Sequence, residues 1–204
     1  MQRIVIIGAG LAAILTACGY PTAVAPTAKE VLAKPLQSNL KDAHFVVSGK
    51  LSNNGATVNV TGDGEINYKP KPGGRFKFIT TVAGQVVSFE QISVGGTDYG
   101  IQTPGAAKWV SKADPTGGIG PTVFAGASAQ KYIGEENLPQ GKAWHASAKD
   151  STGNPFEAYI RESDGYPIKY VETQSGGDSI TLTFDKYNSG TTITPPPSAQ
   201  VTPG

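Results

Sequence analysis

The segment that decides the fold reads Thr57-Val58-Asn59-Val60-Thr61-Gly62-Asp63-Gly64-Glu65-Ile66-Asn67-Tyr68. In it, Val58, Val60, Ile66 and Tyr68 alternate with polar residues. Successive side chains of an extended strand point to opposite sides, so this alternation gives one apolar and one polar face. The segment therefore predicts a β-strand that covers a core with one face and meets water with the other.

The same alternation recurs along most of the chain, with turn signals every 8 to 12 residues. Phe45, Val47 and Leu51 alternate with polar residues just before the first segment, and further strands are predicted after it. Their ranges are residues 75–81, 85–94, 97–102, 143–148, 156–161, 168–173 and 179–187. Short, regularly spaced strands joined by Gly-rich turns are typical of an antiparallel, mainly β domain.

Two segments predict helices. Residues 28–40 carry apolar side chains at roughly helical spacing, and Pro35 predicts a break that leaves one short helix or two. Residues 122–132 are small and Ala-rich, and they predict one further helix. The fold class is therefore mainly β with a few helices, an α+β arrangement in which helices cover the apolar side of the sheet.

The first 18 residues allow two interpretations. Gly8 and Gly10, after an apolar run, resemble the phosphate loop of a dinucleotide-binding fold, and Glu30 falls near the spacing of its ribose-binding acid. That fold requires a crossover helix and a second strand before the acid, and Pro21 and Pro26 exclude the helix. No nucleotide cofactor is therefore expected.

The second interpretation is a lipoprotein signal. Arg3 supplies a positive start, residues 4–15 form an apolar stretch, and Leu15-Thr16-Ala17-Cys18 matches a lipobox. The apolar stretch is shorter than the roughly 20 residues that cross a bilayer as a helix. We expect residues 1–17 to be cleaved and Cys18 to carry lipid; the alternative is an ordinary secretory signal cut elsewhere.

Composition agrees with export and anchoring. Cys18 is the single cysteine, which excludes an intramolecular disulfide. Without Arg3 the chain has 16 basic and 16 acidic residues, so net charge would draw it neither to nucleic acid nor to an anionic membrane surface. Membrane attachment then depends on the acyl chains at Cys18, and two or more such chains anchor stably. The predicted location is the extracytoplasmic face of the cell membrane.

The chain after the signal divides into a tether, one domain and a tail. Residues 18–27 contain prolines, alanines and threonines and predict a flexible, lipidated spacer. Residues 28–193 are long enough for a single domain with its own core. Residues 194–204 include Pro195, Pro196, Pro197 and Pro203 and predict an extended, disordered tail.

Catalysis and metal binding find little support in the sequence. His44 and His145 lie in strand-like alternation, His44 on the expected outer face, and no established catalytic motif occurs. Asp63 and Glu65, like the pair Glu135-Glu136, are too sparse for a calcium loop, which needs six or more oxygens. We expect no enzyme, no metal and no cofactor.

Several short runs follow one another in a set order. They are Leu40-Lys41-Asp42-Ala43-His44-Phe45, Gly62-Asp63-Gly64-Glu65-Ile66, Val94-Gly95-Gly96-Thr97-Asp98-Tyr99, Gly141-Lys142-Ala143-Trp144-His145, 158–167, Phe184-Asp185-Lys186-Tyr187 and Ile193-Thr194-Pro195-Pro196. This succession resembles the LppX/LprG-type envelope lipoproteins, relatives of the LolA-like carriers. The resemblance covers nearly the whole chain after the signal.

The resemblance implies a strongly curved antiparallel half-barrel, closed by helices, whose apolar hollow takes the acyl chains of lipids or lipoglycans. An apolar concave face can hold such chains because each buried methylene contributes about 0.8 kcal/mol. The predicted lining residues are Phe45, Val47, Phe76, Phe78, Phe89, Ile160, Tyr170, Leu182 and Phe184. The alternative is that these residues form a dry core, in an anchored lipoprotein that binds another protein or stabilises an envelope complex.

Overall fold

The computed structural model describes residues 24–53, 56–114, 126–150, 153–173 and 177–204. It contains one α-helix, α1 (Ala28–Gln37), a short 3-10 helix (Ser198–Gln200) and twelve strands within these ranges. The strands are β1 (Asp42–Asn53), β2 (Ala56–Asn67), β3 (Gly73–Val82), β4 (Gln85–Val94), β5 (Thr97–Thr103), β6 (Trp109–Ala113), β7 (Ser128–Leu138), β8 (Gly141–Lys149), β9 (Pro155–Arg161), β10 (Pro167–Thr173), β11 (Ser179–Tyr187) and β12 (Val201–Pro203).

All twelve strands form one open sheet, in the order β12-β6-β5-β4-β3-β2-β1-β11-β10-β9-β8-β7. Neighbouring strands are antiparallel, except that β12 runs parallel to β6. The sheet consists of two meanders, β1–β6 and β7–β11, and it becomes continuous where β1 pairs with β11. β7 and β12 are its edges, so the sheet does not close into a barrel.

The two faces of the sheet differ in composition. One face, here called the apolar face, carries Phe45 of β1, Ile66 of β2, Phe76 of β3, Ala158 of β9 and Phe184 of β11, all in one buried cluster. The opposite face, here called the polar face, carries the residues that alternate with these along the strands. Examples are His44, Asp63, Lys77 and Glu157. The alternation in the sequence thus predicted the two faces correctly.

Helix α1 begins with a reciprocal cap. The Thr27 hydroxyl accepts a hydrogen bond from Glu30 N, and the Glu30 carboxylate accepts one from Thr27 N at 2.7 Å. The expected break at Pro35 is absent, because Pro35 lies in the last turn of a single helix. The missing N–H there removes only one helical hydrogen bond, and the buried ring adds apolar contact beside Val31 and Leu32.

The helix packs on the apolar face at one side of the sheet, where it contacts β7, β8 and β9. Its buried side chains Val31 and Leu32 join the same cluster as Phe45 and Phe184. Leu40, which follows the helix, is fully buried in that cluster as well. The single described α-helix therefore lies over one part of the apolar face.

Most predicted strands are confirmed. The range 85–94 coincides with β4, and 179–187 coincides with β11. The helix predicted over 122–132 is wrong for its described part, because residues 126–127 are not helical and residues 128–132 belong to β7; residues 122–125 lie outside the described residues. Small side chains such as Ala129 suit a helix locally, but β7 is stabilised by pairing with β8, which sequence spacing does not reveal.

The sequence predicts a disordered tail over residues 194–204; in the structure residues 201–203 lie in the sheet, and the segment before the tail is attached to β1. Ser189 and Gly190 are bonded to the buried carboxylate of Asp42, and Val201 to Pro203 pair with β6. The segment therefore passes from the middle of the sheet to its edge. Its prolines suggested disorder, yet Pro203 is tolerated because β12 is an edge strand.

The mainly β fold class is confirmed, in the form of a large open sheet accompanied by one described α-helix. Within the described ranges, no helix has both the length and the apolar character that a membrane crossing requires.

Candidate functional site

The structure places all of the predicted lining residues on the apolar face. Cross-strand pairs connect them: Phe45 stands opposite Phe184, Val47 opposite Leu182, and Leu182 opposite Tyr170. On the other side of β1, Phe78 stands opposite Phe89. The remaining two residues, Phe76 and Ile160, belong to the same buried cluster as Phe45.

The part of this face that lies in the cluster with α1 is a solid core. Phe45 and Val47 are 1% exposed, and Ile160 and Phe184 are 0% exposed. Rings pack against one another there, with centroids 5.6 Å apart for Phe45 and Phe184. These four residues are therefore packed against protein and do not line an open hollow in this structure.

The part of the face on β3 and β4 is open. Phe76 contacts Phe78 and Phe89, with ring centroids 4.3 and 5.9 Å away. Phe78 is half-buried, and Phe89 is 37% exposed although it is a large apolar side chain. We call these three rings the aromatic cluster. It begins in the core at Phe76 and ends in solvent at Phe89.

A groove of about 380 Å³ continues from the aromatic cluster across β4, β5 and β6. Its volume is at the lower end of the range for ligand pockets, roughly 300–1,000 Å³. The residues that line it are Phe89, Gln91, Asp98, Gly100, Ile101, Gln102, Ala106, Val110 and Lys112. Sequence reasoning found Phe89 and missed the others, because several are polar or small and their strand pairing brings them together.

The groove is polar on the side away from Phe89. Gln91 Nε2 donates to Asp98 Oδ2 at 3.1 Å, and Asp98 stands opposite Lys112 in the pairing of β5 with β6. Burial raises the pKa of the Asp98 carboxyl above its usual value. The groove thus offers an apolar wall at Phe89 and Val110 and a charged, hydrogen-bonding wall at its other end.

Two glycines of β2 shape the apolar face. A Cβ at Gly64 would lie 2.3 Å from Phe45 Cζ, and one at Gly62 would lie 2.0 Å from Lys77 O. Only glycine permits these approaches, so the ring of Phe45 lies across β2 and β3 runs close beside it. Glycines spaced by two residues within a strand pattern are the signal that could have indicated this in advance.

A pair of tyrosines closes the core beside the predicted residues. Tyr68 and Tyr170 are buried, and their hydroxyls are hydrogen-bonded to each other. Burial raises the pKa of both hydroxyls, so both remain neutral at physiological pH. Tyr170 is therefore a core residue with a satisfied polar tip.

His145 lies on the polar face, between two carboxylates. Its Nδ1 is 2.7 Å from Glu136 Oε1 and its Nε2 is 3.2 Å from Glu157 Oε2. The ring stacks on Tyr159, whose hydroxyl donates to Glu157 at 2.9 Å. Nε2 is hydrogen-bonded to Glu157 and the side chain is 9% exposed, an arrangement that suits a structural role better than proton transfer.

The second histidine, His44, is also on the polar face, where Nδ1 lies 2.6 Å from Asp185 Oδ1. No cluster of three or more His, Cys, Asp or Glu side chains among the described residues has a geometry that could hold a metal ion. Cys18, the predicted lipidation site, lies outside the described residues.

No protein-family model matches the sequence, and no curated protein matches it significantly. Solved structures do resemble it. An uncharacterised conserved protein from Thermus thermophilus has a TM-score of 0.55 and 16% identity, over 87% of this chain and 99% of that one. Because the identity is low, this likeness concerns the fold alone.

Two further similar structures agree more loosely. LprF from Mycobacterium bovis has a TM-score of 0.45 and 14% identity, over 83% of this chain and 96% of that one. A LolA superfamily protein from Nitrosomonas europaea has a TM-score of 0.39 and 10% identity, over 86% and 97% of the two chains. LprF and a LolA superfamily protein are thus among the solved structures that resemble this chain.

Proposed function

We propose that this protein is a non-enzymatic envelope lipoprotein that binds acyl chains of lipids or lipoglycans and carries or presents them in the cell envelope. In this proposal Cys18 is acylated, residues 18–27 are the tether, and the domain stands on the extracytoplasmic face of the cell membrane. The helix α1 covers one part of a curved apolar face, and the ligand occupies the other part.

The observation that carries the proposal is the aromatic cluster together with its groove. Phe76, Phe78 and Phe89 form a continuous apolar path from the core to the surface, and the groove begins where Phe89 is exposed. Burying an acyl chain there would remove apolar surface from water on both partners, which contributes about 25 cal/mol per Å². Methylene groups need no precisely placed polar partner.

Only some of the predicted lining residues belong to the proposed site. Phe78 and Phe89 are placed to touch a ligand. The core beneath them is formed by the buried residues Phe45, Val47, Ile160 and Phe184. The polar wall at Gln91, Asp98 and Lys112 suits a headgroup, because Lys112 offers a cation and Gln91 an amide. An amphiphile with one acyl chain fits the size of the groove better than a bulky lipoglycan held in full.

One observation favours a second candidate function. The tight packing around Phe45 and Phe184 is what a lipoprotein with a solid core and no lipid ligand would have. Such a protein would act in the envelope by binding another protein.

Recovery of bound lipid separates the two candidates. A Cys18→Ser chain that begins at residue 18, and so lacks both the signal and the acyl chains, is purified without detergent, extracted with organic solvent and analysed by mass spectrometry. We expect close to one lipid per chain, and loss of most of it in Phe89→Asp with an unchanged circular dichroism spectrum. Val46→Asp is the matched control, because Val46 is 45% exposed on the polar face.

The absence of stoichiometric lipid from the folded Cys18→Ser chain would contradict the proposal. Equal lipid content in Phe89→Asp and Val46→Asp would contradict the assignment of the site to the aromatic cluster.

A further inference from the structure

The two ends of the β1–β6 meander differ in charge. Hairpins β1–β2, β3–β4 and β5–β6 all turn at the same end, because each pair of strands is antiparallel and consecutive. The described residues of these strand ends and turns, 51–53, 56–62, 78–89 and 99–107, contain no acidic, basic or histidine side chain. We call this end of the β1–β6 meander the neutral end.

Charged side chains lie beside the neutral end and at the opposite end of the sheet. Asp178, whose carboxylate accepts a hydrogen bond from Ser52 N, and Lys108 border the neutral end. At the opposite end, the turn after β2 contains Lys69 and Lys71. The turn after β9 there contains several more charges, namely Arg161, Glu162 and Asp164. An end without charges on a chain with 33 Lys, Arg, Asp and Glu side chains is a local property of this surface.

The neutral end also exposes large apolar side chains. Ile79, Val82 and Val86 of the β3–β4 hairpin are 42%, 47% and 62% exposed. At the apex Ala83 and Gly84 have φ of 49° and 80°, the geometry of a turn in which the first residue is usually Asn, Asp or Gly. Alanine at positive φ is unfavourable, so the apex carries an apolar methyl group at a conformational cost.

The two native tryptophans lie away from the neutral end. Trp109 is in register, through Ile101, with Glu90 of β4, four positions along that strand from Val86. Trp144 lies near the start of β8, where the neighbouring turn belongs to the opposite end of the sheet.

The groove is oriented along the same axis. Phe89 and Ala106 line it toward the neutral end, and Asp98 with Lys112 line it toward the opposite end. A lipid that leaves a bilayer leaflet moves with its headgroup foremost and its chains behind. In the groove, such a lipid would have its headgroup beside Asp98 and Lys112 and its chains toward the neutral end.

We propose that the neutral end inserts into the lipid surface and that the groove opens onto the bilayer there, so that a ligand passes between membrane and protein without crossing water. This inference rests on the proposed function. The occupant is a lipid surface, because the end is uncharged, exposes Val82 and Val86 at its apex, and continues into the groove. Cys18 precedes Thr27 by nine positions, which reach about 30 Å when extended and leave the domain free to turn this end to the membrane.

Flotation with vesicles tests the inference. The Cys18→Ser chain is mixed with vesicles of phosphatidylcholine, whose surface has no net charge, and the bound fraction is measured after centrifugation. We expect Val82→Asp with Val86→Asp to weaken binding by about tenfold or more, since two charges must then enter the interface. Val46→Asp, which alters an equally exposed valine of the polar face, should bind as the parent does.

Fluorescence locates the contact. Lipids brominated on their chains should quench a tryptophan introduced by Val86→Trp and should leave one introduced by Val46→Trp unquenched, each in a chain whose two native tryptophans are replaced by Phe. This measurement requires no charged substitution, so it remains valid if the double Asp variant is poorly folded. Equal quenching of both tryptophans, equal loss of binding in Val46→Asp, or self-association that disappears in the double Asp variant without any vesicle binding would overturn the inference.

The outcomes also distinguish this inference from the proposed function. A chain that carries stoichiometric lipid yet does not bind vesicles refutes the membrane contact and retains lipid binding. A chain that binds vesicles through the neutral end but never retains lipid refutes the carrier and retains the contact.

Discussion

The ring of Phe45 lies where a side chain at Gly64 would stand, since a Cβ there would be 2.3 Å from Phe45 Cζ and 2.6 Å from Arg75 O. We expect Gly64→Ala to lower the free energy of unfolding by about 2–3 kcal/mol, because one of the contacts is backbone and cannot move alone. Urea denaturation measures this. Gly100→Ala is the control: its nearest neighbour would be Phe89 at 3.8 Å, an ordinary contact, and a similar loss there would contradict the explanation.

Truncating two phenylalanines of the apolar face should have different consequences. Phe45→Ala removes a fully packed ring and should cost about 3–5 kcal/mol of folding stability. Phe89 is 37% exposed, so we expect Phe89→Ala to cost less than about 1 kcal/mol. Thermal denaturation of both variants measures these losses of stability. Similar losses in the two variants would refute the division of this face into a packed core and an open part.

Asp42 connects the C-terminal segment to the sheet. Its buried carboxylate accepts hydrogen bonds from Ser189 N, Ser189 Oγ and Gly190 N at 2.8 to 3.0 Å. We expect Asp42→Ala to cost about 2–3 kcal/mol and to raise amide hydrogen exchange in β12, since the segment loses its attachment at β1. His44→Ala is the control. It removes the contact of His44 with Asp185, two positions along β1 from Asp42, and the amides of β12 should stay protected in this variant.

Stability should fall in alkaline solution because of buried tyrosines. Burial raises the pKa of Tyr68 and Tyr170, and it raises the pKa of Tyr187 to about 12. A pKa that is higher in the folded state leaves stability intact below the unfolded value of about 10 and removes it as the pH rises further. Urea midpoints measured across this range should drop, and less steeply in a Tyr68→Phe, Tyr170→Phe double variant; an unchanged slope would refute the assignment.

The apex of the β3–β4 hairpin offers a stabilising substitution. Ala83 has φ of 49°, which asparagine adopts more readily than alanine. We expect Ala83→Asn to raise the free energy of unfolding by about 0.5–1 kcal/mol. Chemical denaturation measures the gain, and the same substitution at Ala106, which has no positive φ, should give none.

Local patterns predicted the strands that have a clear apolar face, such as β2, β4 and β11. They failed for β7, whose Ser128–Leu138 segment is exposed at most positions and interrupted by bulges near Lys131 and Gly134. They failed for β12 because its strand character comes from β6, some 90 positions earlier in the chain. Pairing between distant segments is not contained in the periodicity of either one.

Alternation in the sequence predicted which face of the sheet carries the site, but not where on that face the site lies. Alternation placed Phe45 and Phe89 on the same side of the sheet, and the structure agrees. Which of them is buried depends on where α1 docks, and nothing in residues 28–37 specifies β7, β8 and β9 as its partners. The groove could not be predicted for the same reason, since Gln91, Asp98 and Lys112 look like ordinary strand residues in the sequence.

The union of two meanders at β1 and β11 has a consequence for how the chain folds. Each meander forms from neighbours in sequence, which is fast, whereas β1 and β11 are separated by well over 100 residues, so their pairing must close a long loop. The rate-limiting event is then expected to be the meeting of two nearly formed halves. A chain severed between β6 and β7 should accordingly reassemble from its two fragments, through the pairing of β1 with β11, the packing of α1 on β8 and the pairing of β12 with β6.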